Sequence, residues 1–73
     1  MIRVRLTDPM LNGDIYGYLA GCLPARVEEE RNVLKVEFTD ARSPDEELAA
    51  VKRIATAWRA AGHLDVVADI EAA

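Results

Sequence analysis

The sequence predicts an α+β domain in which a four-stranded antiparallel sheet carries two helices on one face. Apolar residues alternate with polar or charged residues in four short segments, as in half-buried strands: 2–6, 25–29, 34–38 and 64–70. Between these segments lie two longer ones whose apolar residues recur every three or four positions, which is typical of amphipathic helices. The predicted order is therefore strand, helix, strand, strand, helix, strand.

The first helix is expected to begin directly after the first strand. Asp8 is a good N-cap residue, and Pro9 suits the first helical position. Gly21 is expected just beyond the helix end, with Pro24 as a stop signal, which places Cys22 in or near the core. The apolar face of this helix is predicted to comprise Leu11, Ile15, Tyr18 and Leu19.

The strongest local signal in the chain is the start of the second helix. The Ser43 hydroxyl can cap it, Pro44 fits its first turn, and Glu46 completes a capping box. Gly62 is expected to end the helix, so His63 falls in the connection to the last strand. The apolar stripe of this helix is predicted to comprise Leu48, Val51, Ile54, Ala55 and Trp58.

With this order of elements the chain resembles the ferredoxin-like βαββαβ fold over nearly its whole length, with right-handed crossovers. The resemblance implies the strand order 4-1-3-2, in which strands 1 and 3 are central. Arg3 and Arg5 would then lie on the helix-free face of the sheet. We expect opposite charges to face them from the neighbouring strands, with Asp65 and Asp69 on strand 4 and Lys35 and Glu37 on strand 3.

Composition limits the classes of function that the chain can serve. Its 73 residues predict one domain, residues 1–73, and its net charge of −4 argues against nucleic acid or an anionic membrane as a partner. The single Cys22 permits no internal disulfide and no cysteine-built metal site, and it favours a reducing, cytoplasmic location. No apolar run is long enough to cross a membrane. We expect no cofactor and no metal.

Known activities of this fold need residues that the sequence does not supply. RNA recognition needs aromatic residues facing outward on the central strands, where Arg3, Arg5, Lys35 and Glu37 are expected instead. A heavy-metal-associated module needs two cysteines in a C-x-x-C motif near the first helix, and an iron–sulfur protein needs cysteine ligands for its cluster, whereas Cys22 stands alone. An acylphosphatase-like enzyme needs a glycine-rich loop with an arginine after strand 1, where Asp8 would repel a phosphate.

Most individual residues that invite a chemical role have a simpler structural interpretation. His63 is expected to be an exposed loop residue, Cys22 to fill the core, and Trp58 to anchor it. The acidic run Glu28–Glu30 is expected to be a solvated hairpin tip rather than a cation site, because strand alternation separates its side chains. Tyr16 lies off the apolar stripe, which makes it a candidate for an exposed contact.

Small residues recur along one side of the first helix, where Gly13, Gly17 and Gly21 are spaced every four positions. A glycine inside a helix costs about 1 kcal/mol relative to alanine. Either this ridge packs closely against another subunit or protein, or the glycines are tolerated because the opposite face is well buried. The second helix has a small-residue flank of its own, formed by Ala50, Ala57 and Ala61.

The sequence therefore favours a non-enzymatic protein-interaction module. Its expected partner is a second copy of the chain or another protein, and its expected contact residues are Gly13, Tyr16 and Gly17. In element order and length the chain is also similar to ACT-like regulatory domains, and it resembles small stand-alone bacterial proteins. The ACT-like resemblance implies binding of a small molecule between subunits, near Asp8, Leu11 and Asn12. A third alternative is an enzyme whose site forms between subunits and uses His63 or the acidic residues.

Overall fold

A computed structural model describes residues 1–72 and confirms the predicted α+β fold. The elements follow the order strand, helix, strand, strand, helix, strand, with a short 3₁₀ turn at Pro9–Leu11 before the first helix. This order, and the sheet described below, fit the ferredoxin-like arrangement. The elements are β1 (Ile2–Leu6), α1 (Asn12–Cys22), β2 (Ala25–Glu30), β3 (Val33–Phe38), α2 (Pro44–Ala60) and β4 (Ala68–Ala72).

The sheet is antiparallel throughout and has the order β2-β3-β1-β4, so β1 and β3 are central. In β1 the burial alternates strictly, with Ile2, Val4 and Leu6 buried under the helices and Arg3 and Arg5 exposed on the other face. The sheet therefore has one face that is covered by helices and one that is open to solvent.

One apolar core lies between the helices and the covered face of the sheet. Its largest fully buried side chain is Trp58, which confirms the prediction that this residue anchors the core. The other fully buried apolar side chains come from both central strands and both helices: Ile2, Val4, Ile15, Leu19, Leu34, Val36 and Val51. Within residues 1–72, neither helix is long and apolar enough to cross a lipid bilayer.

Helix α2 begins as its sequence predicts. The backbone N–H of Glu46 donates to the Ser43 hydroxyl at 3.2 Å, and the N–H of Ser43 donates to the Glu46 carboxylate at 2.9 Å. These two bonds complete a capping box, with Pro44 in the first turn. The hydrogen bond from the Ser43 backbone, followed by the contact with its hydroxyl, lowers the pKa of Glu46.

Helix α1 begins through the 3₁₀ turn and ends later than predicted. The Asp8 carboxylate accepts a hydrogen bond from the Met10 N–H at 3.1 Å and so caps the 3₁₀ turn. At the other end, the expectation that Gly21 lies beyond the helix is wrong, because α1 continues through Cys22 and the extended backbone of Leu23 ends it. The helix can continue because Gly21 has no positive φ angle that would break it.

The last strand is shorter than predicted and begins at Ala68 rather than at residue 64. Residues 63–67 form a loop that Arg59 holds, since its guanidinium donates to the carbonyls of Val66 at 2.6 Å and Leu64 at 3.1 Å. Of the inward positions expected before Ala68, Val66 is buried but Leu64 is 71% exposed. The strand begins where β1 offers a partner, since Ala68 lies opposite Leu6, the last residue of β1.

Candidate functional site

The outer face of α1 is nearly free of charge. At 100° per residue, Gly13, Gly17 and Gly21 lie on the side opposite the buried Ile15 and Leu19, and all three glycines are exposed. Asp14 is the one charged residue of the helix. Exposed apolar helical surface of this kind is typical of residues that a partner covers.

Two tyrosines flank this glycine face. Tyr16 is 41% exposed, in keeping with its predicted position off the apolar stripe. Tyr18 is 38% exposed, so the prediction that it belongs to the buried stripe is wrong. The cause is rotational: Tyr18 lies well to one side of the centre of the buried face, which Ile15 and Leu19 define. The face thus combines small residues with aromatic rings at its margins.

No contact within the structure explains why α1 has glycine at these three positions. A Cβ atom added at Gly13, Gly17 or Gly21 would meet no atom within 4 Å, so no neighbouring element approaches close enough to require glycine. None of the three has a positive φ angle that only glycine tolerates. In the isolated chain, therefore, each glycine weakens the helix without a compensating contact.

The start of α1 holds a buried polar side chain. Asn12 is 1% exposed, and its amide donates to the Glu29 carboxylate at 2.8 Å and to the Asn32 carbonyl at 3.1 Å. These bonds attach α1 to the β2–β3 hairpin. The Asn12 Oδ1 atom is buried and has no hydrogen-bond partner among residues 1–72. The Asn12 amide group therefore has a structural role, and its oxygen is left unsatisfied.

The other two residues of the proposed small-molecule site lie beside Asn12. Asp8 is exposed, and its carbonyl accepts a hydrogen bond from the N–H of Leu11 at 3.1 Å. Leu11 is half-buried against the core. The 3₁₀ turn thus brings Asp8, Leu11 and Asn12 together, although their side chains have different surroundings.

His63 is not the exposed loop residue that the sequence predicts. Its side chain is only 24% exposed, and its ring stacks on Trp58 with centroids 4.2 Å apart and planes 13° apart. Its Nε2 atom lies 3.5 Å from an Asp14 carboxylate oxygen. The loop after α2 therefore folds back over Trp58 toward α1. No local signal predicts this cluster, because Asp14 and His63 belong to distant parts of the chain.

Cys22 is exposed, contrary to the expectation that it fills the core. Because α1 extends through Cys22, the core position near the helix end is taken by the next residue, Leu23, which is buried. No other cysteine is present in the chain, so Cys22 offers an accessible thiol and cannot form a disulfide within the chain.

The acidic run of β2 is exposed, as predicted for a hairpin. Its members nevertheless have partners, since Glu29 accepts the bond from Asn12 described above and Glu30 accepts one from Lys35 at 3.0 Å. Strand alternation sends Glu28 and Glu30 to the open face and Glu29 to the helix side. Within the described chain, residues 1–72, no three His, Cys, Asp or Glu side chains converge as a metal site.

Acidic residues of β4 face the arginines of β1, as the sequence predicts, but one of the two differs from the expected residue. Arg5 lies opposite Asp69 as expected, whereas Asp65 is in the loop before β4 and Glu71 lies opposite Arg3 instead. Arg3 lies directly opposite Lys35, so the two central strands place like charges side by side. The register of β1 and β3 produces this juxtaposition, and the alternation in each strand gives no indication of it.

No protein-family model matches this chain, and neither a curated protein nor a solved structure matches it. The ferredoxin-like arrangement is used for many unrelated functions, so the fold by itself assigns none. Two surfaces of the molecule are candidates for function: the outer face of α1 and the open face of the sheet.

Proposed function

We propose that this chain is a non-enzymatic interaction module that self-associates through the outer face of α1. The observation that carries the proposal is the empty space around Gly13, Gly17 and Gly21, each of which has room for a side chain. A helix loses about 1 kcal/mol for each interior glycine that replaces alanine. Glycine at these positions allows the backbone of a second subunit to approach closely, which explains residues that the contacts of the single chain do not explain.

A second copy of the chain suits this face better than a charged partner. The face carries one acidic residue, Asp14, and no basic residue, so it offers little to an ionic partner. In a two-fold dimer the same patch meets itself, and the glycines of the two helices can approach closely. Tyr16 and Tyr18 then supply aromatic contact area at the margins.

The test is the substitution Gly17→Leu, followed by sedimentation equilibrium over a range of protein concentrations. We expect wild-type protein to associate and the variant to remain monomeric, because a leucine side chain keeps the two helix backbones apart. The matched control is Ala49→Leu, which enlarges an exposed residue of α2. A monomeric wild type, or an assembly state that Gly17→Leu leaves unchanged, contradicts the proposal.

The second candidate is ACT-like sensing of a small molecule near Asp8, Leu11 and Asn12. The observation that favours it is the buried Asn12 Oδ1 atom, which lacks a donor that a ligand amine can supply. A thermal-shift screen against the amino acids separates the two functions. A ligand at a hundredfold excess over Kd stabilises the folded state by about 2.7 kcal/mol. If no amino acid raises the melting temperature, this candidate is excluded.

A further inference from the structure

The open face of the sheet carries a cationic concavity, on the opposite side of the sheet from α1. Its volume is about 230 Å³. Four of its lining residues are cationic, one is acidic and one is apolar, in a chain whose net charge is −4. The lining comprises Arg3, Arg5, Arg31, Lys35, Glu30 and Val33.

The centre of this concavity has a like-charge pair that opposes folding. Arg3 of β1 and Lys35 of β3 are direct neighbours across the two central strands. Like charges directly opposite each other in an antiparallel pair destabilise the sheet. Nothing in the backbone requires cations at these two positions, since both side chains belong to the solvent-facing set.

Three of the four cations form no direct ion pair among the described residues. Over residues 1–72, Arg3, Arg5 and Arg31 form no ion pair within 4.0 Å. Only Lys35 has one, with Glu30 at 3.0 Å. The concavity is therefore cationic at its centre, where Glu30 contacts Lys35, and the carboxylates opposite Arg3 and Arg5 lie at its border without direct ion-pair contact.

The fourth cation of the concavity is Arg31 in the hairpin turn, where its backbone conformation is unfavourable for arginine. Arg31 and Asn32 form the β2–β3 turn with φ angles of 52° and 64°, in the left-handed region. Two-residue turns of this kind favour asparagine, aspartate or glycine, whose side chains tolerate that region. Asn32 conforms to this preference and Arg31 does not. An arginine in this conformation beside the concavity is therefore an independent sign that its charge is used.

We propose that the concavity binds a small soluble ligand through a diphosphate group. The planar guanidinium groups of Arg3, Arg5 and Arg31 can each donate two parallel hydrogen bonds to phosphate oxygens. The ligand removes the repulsion between Arg3 and Lys35, and it competes with the Glu30 carboxylate for Lys35. These contacts involve the open face of the sheet and are independent of association through α1.

The acidic border of the site selects a compact anion over an extended one. Glu28 lies opposite Lys35 on one side, and Glu71 and Asp69 lie opposite Arg3 and Arg5 on the other. A nucleic acid strand or an anionic bilayer that crosses the sheet would meet these carboxylates and be repelled. A diphosphate group is short enough to remain between them.

The test uses isothermal titration calorimetry of the full chain with inorganic pyrophosphate at low ionic strength. We expect Arg3→Gln to weaken binding about tenfold or more, because charge-assisted contacts are lost. The matched control is Arg26→Gln, on the same open face but opposite Glu37 and outside the concavity. Its affinity for pyrophosphate is expected to stay within about twofold of wild type. Thermal melts of each variant establish that it is folded.

Two further variants separate binding from folding. Glu30→Gln removes the competing carboxylate and is expected to tighten pyrophosphate binding. Arg31→Gly relieves the turn and is expected to raise the melting temperature while it weakens binding. Absence of pyrophosphate binding to wild type, equal losses in Arg3→Gln and Arg26→Gln, or tighter binding of single-stranded oligonucleotides than of pyrophosphate overturns the proposal.

Discussion

Helix α2 carries six charged residues among its 17, whereas α1 carries only Asp14 among its 11. The start of α2 is fixed by a complete capping box, while the first residue of α1 has no side-chain cap and follows a 3₁₀ turn. Both helices bury one face in the same core. They differ in what covers the other face, which is charged and solvated in α2 and glycine-rich in α1.

This difference distinguishes residues that are explained by folding from residues that folding does not explain. The capping box of α2 is explained by helix formation, and its buried face by packing around Trp58. In α1, the buried Ile15 and Leu19 explain why the helix is held in place, but not why its outer face contains glycines with open space around them. Surface features without a folding role are the ones from which function can be inferred.

The largest expected loss of stability comes from truncating Trp58 of α2. Trp58→Ala should lower the free energy of unfolding by about 3–5 kcal/mol, because it leaves a cavity beneath both helices and removes the ring on which His63 stacks. Urea titration followed by circular dichroism measures the loss. Thr56→Ala, on the exposed side of the same helix, should change stability by less than about 0.5 kcal/mol. Similar effects for the two variants would show that the core is not centred on Trp58.

Smaller losses of stability are expected when the N-terminal caps before the two helices are removed. Ser43→Ala should cost about 1 kcal/mol, because the hydroxyl no longer accepts the Glu46 N–H at the start of the long helix. Asp8→Ala should cost less, because Asp8 caps only a three-residue 3₁₀ turn. The free energies of unfolding of both variants, from urea titration, test this order. A larger loss in Asp8→Ala would mean that α1 depends on its local start more than on the core.

Two glycine substitutions should have opposite signs. Gly21→Ala lies in α1 and should stabilise the monomer by up to about 1 kcal/mol, because alanine favours the helix and its Cβ has room. Gly62→Ala should destabilise it, since Gly62 has a φ angle of 130°, which strains any residue with a Cβ. Melting temperatures extrapolated to low protein concentration measure both changes. A shift of the same sign in both variants contradicts this account.

The smallest effect concerns acid stability at the α2 cap. Because the Ser43 backbone N–H lowers the pKa of Glu46 in the folded state, this carboxylate adds stability above its unfolded pKa. The contribution is lost as the pH falls through the lower, folded pKa. Glu46→Gln has no carboxylate to contribute this stability, so its stability should fall less than that of wild type between about pH 7 and about pH 3. Parallel urea titrations at the two pH values test this, and equal losses would contradict it.

The elements that were predicted correctly depend on residues close together in the chain. Alternation places β1, β2 and β3, and the Ser43–Glu46 capping box places the start of α2. The errors concern residues whose environment is set from elsewhere. Ala68 begins β4 because β1 ends at Leu6, and Cys22 is exposed because α1 continues through it while Leu23 enters the core.

The same division applies to the candidate surfaces. The four-residue spacing of Gly13, Gly17 and Gly21 is visible in the sequence, and the structure adds that the space around each is open. The cationic concavity is visible only in part, because Arg3, Arg5 and Lys35 can be placed on the open face but their mutual register cannot. The sequence gives no indication that Arg31 belongs to the concavity or has a positive φ angle, because both depend on the conformation of the turn.

The sequence by itself determined the order of the elements, the covered face of each strand and the capped start of α2, because periodicity and capping act over a few residues. The tertiary structure alone decided that His63 stacks on Trp58 beside Asp14, that Asn12 bonds to Glu29, and that Arg3 faces Lys35. The pairs Asp14–His63, Asn12–Glu29 and Arg3–Lys35 join distant parts of the chain, and the Trp58–His63 stack depends on the path of the loop after α2. Strand register and loop path, which the whole core sets, bring such residues together.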